Sequence, residues 1–349
     1  MRDTNILKGI AICAMLIHHI YACPPEGFGP FGPALSFLGS LGKCCVAMFL
    51  FCSGYGLAVK FSQESSHTLK SSVKFVLHRL LKFYSNYWFI FLIFVPIGAF
   101  VFDIPLSARY GDHVNLVKRL TYDLLGIQGF NSYNITWWFN KLIILLYLAF
   151  PLLFLAVKKL SWWMLPISLI ISRLSHTFVL GFANYYDLLF WQFPFVLGIL
   201  WRRNEDNIGS VCNWVKMHRA VAAGVTLVAL VLAVACRMYR IIPHYSGLHV
   251  DAYIAVLSAI FTVVALDRLR ISSALAFLGR HSANIYLTHT FIGGYWFPSL
   301  LYEELNFMGG GASIFFIEMG ICLGISILIE KVKKYSKYNE LSKKTIHLI

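Results

Sequence analysis

Charged residues are scarce in this sequence. Asp, Glu, Lys and Arg together make up 13% of the 349 residues, whereas hydrophobic residues make up 58%. Ordinary soluble domains contain about a quarter charged residues. Long apolar stretches recur through the whole chain, and the mean hydropathy is +0.67. The composition therefore excludes a soluble domain with one membrane anchor and predicts an integral membrane protein.

The eight cysteines lack the spacing of a metal site. None belongs to a C-x-x-C pair or to a Cys/His cluster with zinc spacing, so we expect neither a bound metal nor a disulfide framework. The sequence also lacks internal repeats and low-complexity linkers that would divide it. We therefore predict one membrane domain over residues 1–335, followed by a short basic cytoplasmic tail over 336–349.

The first apolar stretch, LKGIAICAMLIHHIYAC, lacks the cleavage site of a secretory signal peptide. Tyr21 is too bulky for a small-residue cleavage motif, and His18 and His19 interrupt the apolar run. We expect this stretch to be kept as a membrane helix.

Windows of roughly 20 apolar residues are long enough to cross a bilayer as helices. The sequence therefore predicts an all-α fold, a polytopic integral membrane bundle of about ten transmembrane helices. The windows lie near residues 5–22, 40–59, 84–102, 137–157, 161–176, 185–201, 219–236, 250–266, 283–299 and 309–330. An amphipathic stretch near 114–129 predicts an interfacial or re-entrant segment.

Basic residues alternate from one side of the predicted membrane to the other. With a cytoplasmic N-terminus, the cytoplasmic loops and tail contain 22 Lys and Arg residues and the opposite loops contain six. This bias predicts a multi-pass protein of the cell membrane with both termini in the cytoplasm. Topology and contact with anionic membrane lipids then account for the net charge of +14, and we do not expect nucleic-acid binding.

Two adjacent histidines stand near the end of the first span. Lys8 and His19 are eleven residues apart, which places them about 20° apart around a helix and about 16 Å apart along it, while His18 points about 80° away. Ionisable residues at this depth are rare and usually functional. We therefore interpret His19 as a site residue, with His18 as the alternative. A packed histidine bonded to a neighbouring carbonyl is the other interpretation.

A second polar face lies on the ninth span, in LGRHSANIYLTHTF. Ser282, Tyr286 and His289 are spaced so that they share one helix face. His289 and His19 lie on helices that enter from the same predicted side to similar depths. We therefore expect both imidazoles to line one tunnel, with their side chains within about 10 Å of each other.

Arg79 and Lys82 lie in KFVLHRLLKFY, at the predicted cytoplasmic mouth of the third span. Because they are three residues apart on a helix, they share a face and could hold the phosphate or pyrophosphate of an anionic cofactor. The alternative is that they only set the topology, since any such loop is basic.

Three further features have structural interpretations. The glycines of CSGYG, which contains Ser53, predict close helix packing. Trp137 and Trp138 suit an aromatic belt at the outer face. Lys43 and Lys141 lie inside spans and suit snorkelling, with a role in an acceptor site as the alternative.

Together these motifs resemble the membrane-bound acyltransferase 3 family, whose members O-acylate glycans of the cell surface, including peptidoglycan, lipopolysaccharide and exopolysaccharides. The resemblance extends from the first span to the last, and it depends on the order and spacing of the motifs. They are a cation eleven residues before a transmembrane histidine, FLFCSGY in the second span, a cytoplasmic Arg-x-x-Arg pattern, WWF in the fourth span, and Ser-x-x-x-Tyr-Leu-x-His near the end.

The resemblance implies roles for individual residues. His19 matches the family's essential histidine, Lys8 stands where the family usually has arginine, and His289 belongs to the late motif, so we predict these three as catalytic. Arg79 and Lys82 match the Arg-x-x-Arg associated with the acyl-CoA donor. The candidate substrate-site residues are His18, Ser53, Trp138, Ser282 and Tyr286.

The chain departs from the family pattern at three positions. Lysine replaces arginine at Lys8 and Lys82, which keeps the charge but loses bidentate geometry. The family's proline shortly after the Arg-x-x-Arg is Ser85 here. The two replacements of arginine by lysine bear on the affinity for the donor and on the identity of the acyl group.

The resemblance implies transfer of an acyl group, in the first instance acetyl, from cytoplasmic acyl-CoA to a hydroxyl of an extracytoplasmic glycan or lipid-linked sugar. His19 would act as the base that takes the hydroxyl proton, or it would accept the acyl group itself; the sequence leaves both routes open. We expect no permanently bound cofactor, with acetyl-CoA or another acyl-CoA as co-substrate. The rival interpretation is a transporter or flippase that uses the intramembrane His and Lys as a relay.

Overall fold

The structure is a computed structural model that describes residues 4–29, 31–64, 66–111, 113–178, 186–205, 217–239, 246–266, 269–306 and 311–347. Within these ranges the chain is helical and contains no β-strand, which confirms the predicted all-α fold. Five of the Lys, Arg and Cys residues counted above lie outside the described residues: Arg2, Cys212, Lys216, Arg240 and Arg268.

The described α-helices are numbered here in chain order. They are α1 (Asn5–Tyr21), α2 (Pro33–Gly42), α3 (Cys45–Phe61), α4 (Leu69–Phe100), α5 (Leu106–Tyr110), α6 (His113–Leu124), α7 (Trp138–Leu160), α8 (Met164–Phe178), α9 (Tyr186–Asn204), α10 (Arg219–Tyr239), α11 (Ser246–Val264), α12 (Ile271–Arg280), α13 (Ser282–Thr290), α14 (Ala312–Tyr335) and α15 (Tyr338–His347). A 3-10 turn, Ile135–Trp137, precedes α7, and two π-helical segments, Phe291–Trp296 and Leu300–Glu304, follow α13.

Membrane-spanning length is reached by five helical stretches among the described residues. They are Pro33–Phe61, Leu69–Phe100, Ile135–Ser175, Arg219–Tyr239 and Ala312–Tyr335. The predicted count of about ten spans is therefore not confirmed. One reason is that Ile135–Ser175 joins the fourth and fifth predicted windows in a single stretch. Another is that α1, with 17 residues, is about 26 Å long, which is shorter than a hydrocarbon core of about 30 Å.

The chain divides into two compact units. Unit 1 consists of Met1–His18, Phe37–Ser66 and Ala149–Ser282, and unit 2 consists of His19–Ser36, His67–Leu148 and Ala283–Ile349. The interpretation of residues 1–335 as one membrane domain stays a prediction.

Glycines bring helix backbones together in unit 1. A Cβ on Gly54 of α3 would collide with the Phe195 carbonyl oxygen of α9, and a Cβ on Gly198 would collide with the Phe51 carbonyl oxygen. Lipid tails are as apolar as leucine, so membrane helices associate through close packing of small residues. The packing predicted for CSGYG is thus confirmed at Gly54, whereas Gly56 faces open space.

Aromatic side chains form the core of unit 2. Trp137 is 1% exposed, and its ring centroid lies 5.1 Å from that of Tyr87 and 5.7 Å from that of Phe291. Each buried aromatic side chain removes a large apolar area from solvent. The buried core residues are Tyr87, Ile90, Phe91, Phe94, Val95, Tyr110, Tyr133, Trp137, Leu287, Phe291 and Ile329.

A buried carboxylate connects α6 to this core. Asp123 accepts hydrogen bonds from the Tyr110 hydroxyl at 2.5 Å and from the Tyr133 backbone N–H at 2.7 Å. The Tyr87 hydroxyl donates to the backbone carbonyl of Asp123 at 2.6 Å. Burial raises the pKa of Asp123, and the hydrogen bonds to its side chain oppose that rise. The stretch predicted to be interfacial contains α6, and its place at the membrane surface stays a prediction.

Candidate active site

His19 and His289 face each other in unit 2. Their ring centroids are 4.8 Å apart, and the rings are tilted by 48°. His19 lies near the end of α1 and is partly exposed, whereas His289 in α13 is 1% exposed. The proximity predicted from the sequence, within about 10 Å, is confirmed. The tunnel expected to contain both rings stays a prediction.

Backbone carbonyls fix the orientation of the His289 ring. Its Nδ1 donates to the carbonyl oxygens of Tyr286 at 2.9 Å and Ile285 at 3.2 Å. The proton on Nδ1 is inferred from these partners, because a carbonyl oxygen only accepts. In the neutral ring, Nε2 is therefore the nitrogen that accepts hydrogen bonds. It lies 3.2 Å from the hydroxyl of Thr290.

A chain of polar groups continues from Nε2 of His289. Thr290 Oγ1 lies 3.1 Å from Thr136 Oγ1, which in turn lies 2.7 Å from Asn134 Oδ1. Each threonine hydroxyl has one proton to donate. The two hydroxyls can therefore supply the donor for only two of these three contacts. When Nε2 also carries a proton, all three contacts can be hydrogen bonds: Nε2 donates to Thr290, Thr290 donates to Thr136, and Thr136 donates to Asn134. A proton on Nε2 would therefore have a hydrogen-bond acceptor in Thr290.

The polar face predicted for α13 is divided between the two units. Ser282 belongs to unit 1, whereas Tyr286 and His289 belong to unit 2. The Tyr286 hydroxyl donates to the Thr136 carbonyl oxygen at 2.9 Å, and its ring packs edge-on against Phe139 at 5.6 Å. Tyr286 thereby anchors α13 to the start of α7, which fixes the position of His289 one turn later.

The two adjacent tryptophans have different surroundings. The indole N–H of Trp137 donates to the Leu287 carbonyl oxygen of α13 at 3.1 Å. Trp138, the predicted substrate-site residue, stacks on Phe130 with ring centroids 5.1 Å apart. Trp137 is thus the tryptophan of this pair that bonds to the helix bearing His289, and the sequence alone did not distinguish the two.

Arg79 and Lys82 lie on the continuous helix α4, which begins at Leu69 with Thr68 as its N-cap. Their predicted position on one helix is confirmed. The guanidinium of Arg79 lies 5.0 Å from the ring centroid of Phe75. Arg79 is partly buried and Lys82 is exposed. Their role as phosphate ligands stays a prediction.

The other candidate residues lie in unit 1. Nδ1 of His18 donates to the Gly39 carbonyl oxygen at 2.8 Å, which is the contact expected of a packed histidine. Lys8 on α1 and Ser53 on α3 are both partly buried. Their predicted roles in catalysis and substrate binding stay predictions.

Besides Asp123, two further buried carboxylates were not selected from the sequence. Asp251 in α11 is 0% exposed and accepts a hydrogen bond from Nε of Arg237 at 2.9 Å, inside unit 1. Glu318 in α14 is 2% exposed, and its Oε2 has no hydrogen-bond partner among the described residues. The sequence did contain a signal for Glu318, which is the single acidic residue in the apolar run 312–329. Ionisable residues inside spans are usually functional.

Comparison with curated proteins and with solved structures finds no match to this chain. Comparison with protein families matches residues 2–331 to an acyltransferase domain, that of the acyltransferase 3 family. The match covers nearly the whole chain and includes both facing histidines. The protein therefore belongs to the acyltransferase 3 family and is a membrane acyltransferase.

Proposed function

We propose that the protein transfers an acyl group, in the first instance acetyl, from cytoplasmic acyl-CoA to a hydroxyl of an extracytoplasmic glycan or lipid-linked sugar. The observation that carries this proposal is the pair of imidazoles, His19 and His289, 4.8 Å apart in a chain of the acyltransferase 3 family. Membership of this family favours acyl transfer over the transporter interpretation.

His19 is the general base in the proposed reaction. Its imidazole takes the proton of the acceptor hydroxyl while the hydroxyl oxygen attacks the thioester carbonyl. The tetrahedral intermediate then collapses, the carbon–sulfur bond breaks, and the CoA sulfur leaves with that proton. The products are an ester on the sugar and free CoA. His289 is the second acid–base group, a role supported by the hydroxyl chain that begins at its Nε2.

The donor is held by cations. Arg79 and Lys82 are proposed to bind the phosphates of acyl-CoA, since charge-assisted hydrogen bonds to phosphate are about twice as strong as neutral ones. Lys8, eleven residues before His19 on α1, is proposed to orient the donor or neutralise its charge. A lysine does this as a point charge without the paired geometry of arginine.

In the proposed reaction, the membrane separates the two substrates. The Lys and Arg distribution supports a cytoplasmic location for both termini, so acyl-CoA approaches from the cytoplasm and the glycan from the opposite side. A histidine at mid-membrane depth would allow the two substrates to meet without either crossing the bilayer.

Mass spectrometry of surface glycans tests this function. Cells that contain the protein, cells that lack it, and cells in which it is restored are compared. We expect one or more acyl esters to be lost without the protein and restored with it, while the amount of glycan stays the same. A change in glycan amount with unchanged esters would contradict the proposal and would indicate transport.

A further inference from the structure

The carboxylate of Glu318 is buried in unit 2 with an unsatisfied oxygen. Glu318 is 2% exposed, and Oε2 lacks a hydrogen-bond partner within the part of the chain that the structure describes. An unpaired polar group in an apolar interior costs free energy, and native structures pair nearly all such groups. Among the described residues, the carboxylate therefore lacks a hydrogen-bond donor, which a bound ligand could supply.

Gly293 provides the space that this carboxylate occupies. A Cβ at this position would lie 2.5 Å from Oε1 of Glu318 and 2.9 Å from Oε2. Any larger residue would push the carboxylate away. Gly293 lies in the π-helical segment Phe291–Trp296, and such segments occur frequently at functional sites.

The position of Gly293 connects Glu318 to the histidine pair. Gly293 follows His289 by four residues, which is about one helical turn, or about 6 Å along the axis. In the proposed orientation, the chain runs outward from His289 to Gly293. Glu318 then lies on the outer side of the histidines, where the acceptor arrives.

Aromatic rings lie in the same region of unit 2 as this carboxylate. Glu318 is close enough to Tyr21 and Tyr302 to interact with both electrostatically. The ring of Tyr302 packs against Phe28 at 5.4 Å and Phe31 at 6.1 Å, and both phenylalanines are partly exposed. The carboxylate therefore has a partly exposed aromatic cluster nearby.

We propose that Glu318 binds a hydroxyl of the acceptor sugar and so positions it at the histidine pair. The carbonyl oxygen of a carboxyl group accepts hydrogen bonds whether or not the group is ionised, and a sugar offers several hydroxyl donors. The phosphates of acyl-CoA are poor ligands for this group, because phosphate oxygens accept hydrogen bonds and offer no donor. The inference rests on the proposed function and adds to it the residue that recognises the acceptor.

Isolated membranes containing the full chain and their own glycan provide the test. They are supplied with radiolabelled acetyl-CoA, and alkali-labile label in the glycan is measured as a function of acetyl-CoA concentration. The variants are Glu318→Gln, which keeps the shape, and Gly293→Ala, which displaces the carboxylate. Gly320→Ala on the same helix is the matched control, because a Cβ there meets nothing within 4 Å. The thermal unfolding midpoint of each purified variant is measured as well.

We expect Glu318→Gln and Gly293→Ala to lower glycan labelling roughly ten- to hundredfold, the effect of leaving a buried polar group without its hydrogen bond. The KM for acetyl-CoA should stay within about twofold of wild type, and Glu318→Gln should unfold at the wild-type temperature. Labelling by Glu318→Gln at the wild-type rate would overturn the inference, as would a rise in the KM for acetyl-CoA that accounts for the loss. Absence of labelling by the wild-type protein would instead contradict the proposed function itself.

Discussion

The imidazole rings of His19 and His289 face each other at 4.8 Å, although they come from opposite ends of the chain. Two positive charges at this distance would repel each other, so the pair is suited to hold one proton at a time. That is the requirement of a reaction in which a proton leaves the acceptor hydroxyl and returns to the leaving thiolate. The site therefore depends on the packing of the His19 ring against that of His289.

Thr290→Val should slow acyl transfer. The substitution removes the hydroxyl that links Nε2 of His289 to Thr136 but keeps the shape of the side chain. A hydrogen bond to a charged group contributes about 1.5–3 kcal/mol, so the initial rate of labelled acetyl transfer in membranes should fall roughly ten- to hundredfold. Thr290→Ser keeps the hydroxyl and should transfer at nearly the wild-type rate. Equal rates for the valine variant and the wild type would show that the hydroxyl chain takes no part in the reaction.

Gly54→Ala should destabilise unit 1, whereas Gly56→Ala on the same helix should not. A Cβ on Gly54 collides with the Phe195 backbone, while one on Gly56 meets nothing within 4 Å. Forcing a methyl group into a packed contact costs about 1–3 kcal/mol. Thermal unfolding of the purified variants in detergent should therefore show a lower midpoint for Gly54→Ala alone. Equal midpoints for the two variants would mean that the α3–α9 contact is looser than described.

Replacing Arg79 and Lys82 together with glutamine should weaken donor binding. Removal of two phosphate contacts should raise the KM for acetyl-CoA by roughly tenfold or more, with a smaller effect on saturation by the acceptor. Lys74→Gln is the matched control, because Lys74 is an exposed cation on the same helix. If the KM for acetyl-CoA is unchanged in the double variant, Arg79 and Lys82 act only as determinants of membrane topology.

The helices were predictable from the sequence because apolar runs in lipid satisfy their backbone hydrogen bonds by forming helices. The window 219–236, for example, became α10 (Arg219–Tyr239). The number of spans was less predictable. Whether two neighbouring windows form separate spans depends on how the chain continues between them, and Ile135–Ser175 continues as one helical stretch.

The histidine pair was predictable because helix periodicity separates His19 from His18 and because depth can be counted in residues. Contacts between distant segments of the chain were not predictable from the sequence. The Thr290–Thr136 contact and the bond from Trp137 to Leu287 depend on the docking of α13 against the start of α7. No local pattern encodes that docking. Glu318 could have been selected from the sequence as an acidic residue in an apolar run. Its closeness to Gly293 is visible only in the packing of α14.

The most direct test of the central claim compares glycan acylation in cells whose sole copy of the protein is His19→Ala or His18→Ala. We expect His19→Ala to abolish the acyl esters while protein level and membrane insertion stay normal. His18→Ala, which loses the contact described above with the Gly39 carbonyl, should retain most of the esters. Near-normal acylation by His19→Ala, together with loss in His18→Ala, would contradict the assignment of His19 as the base.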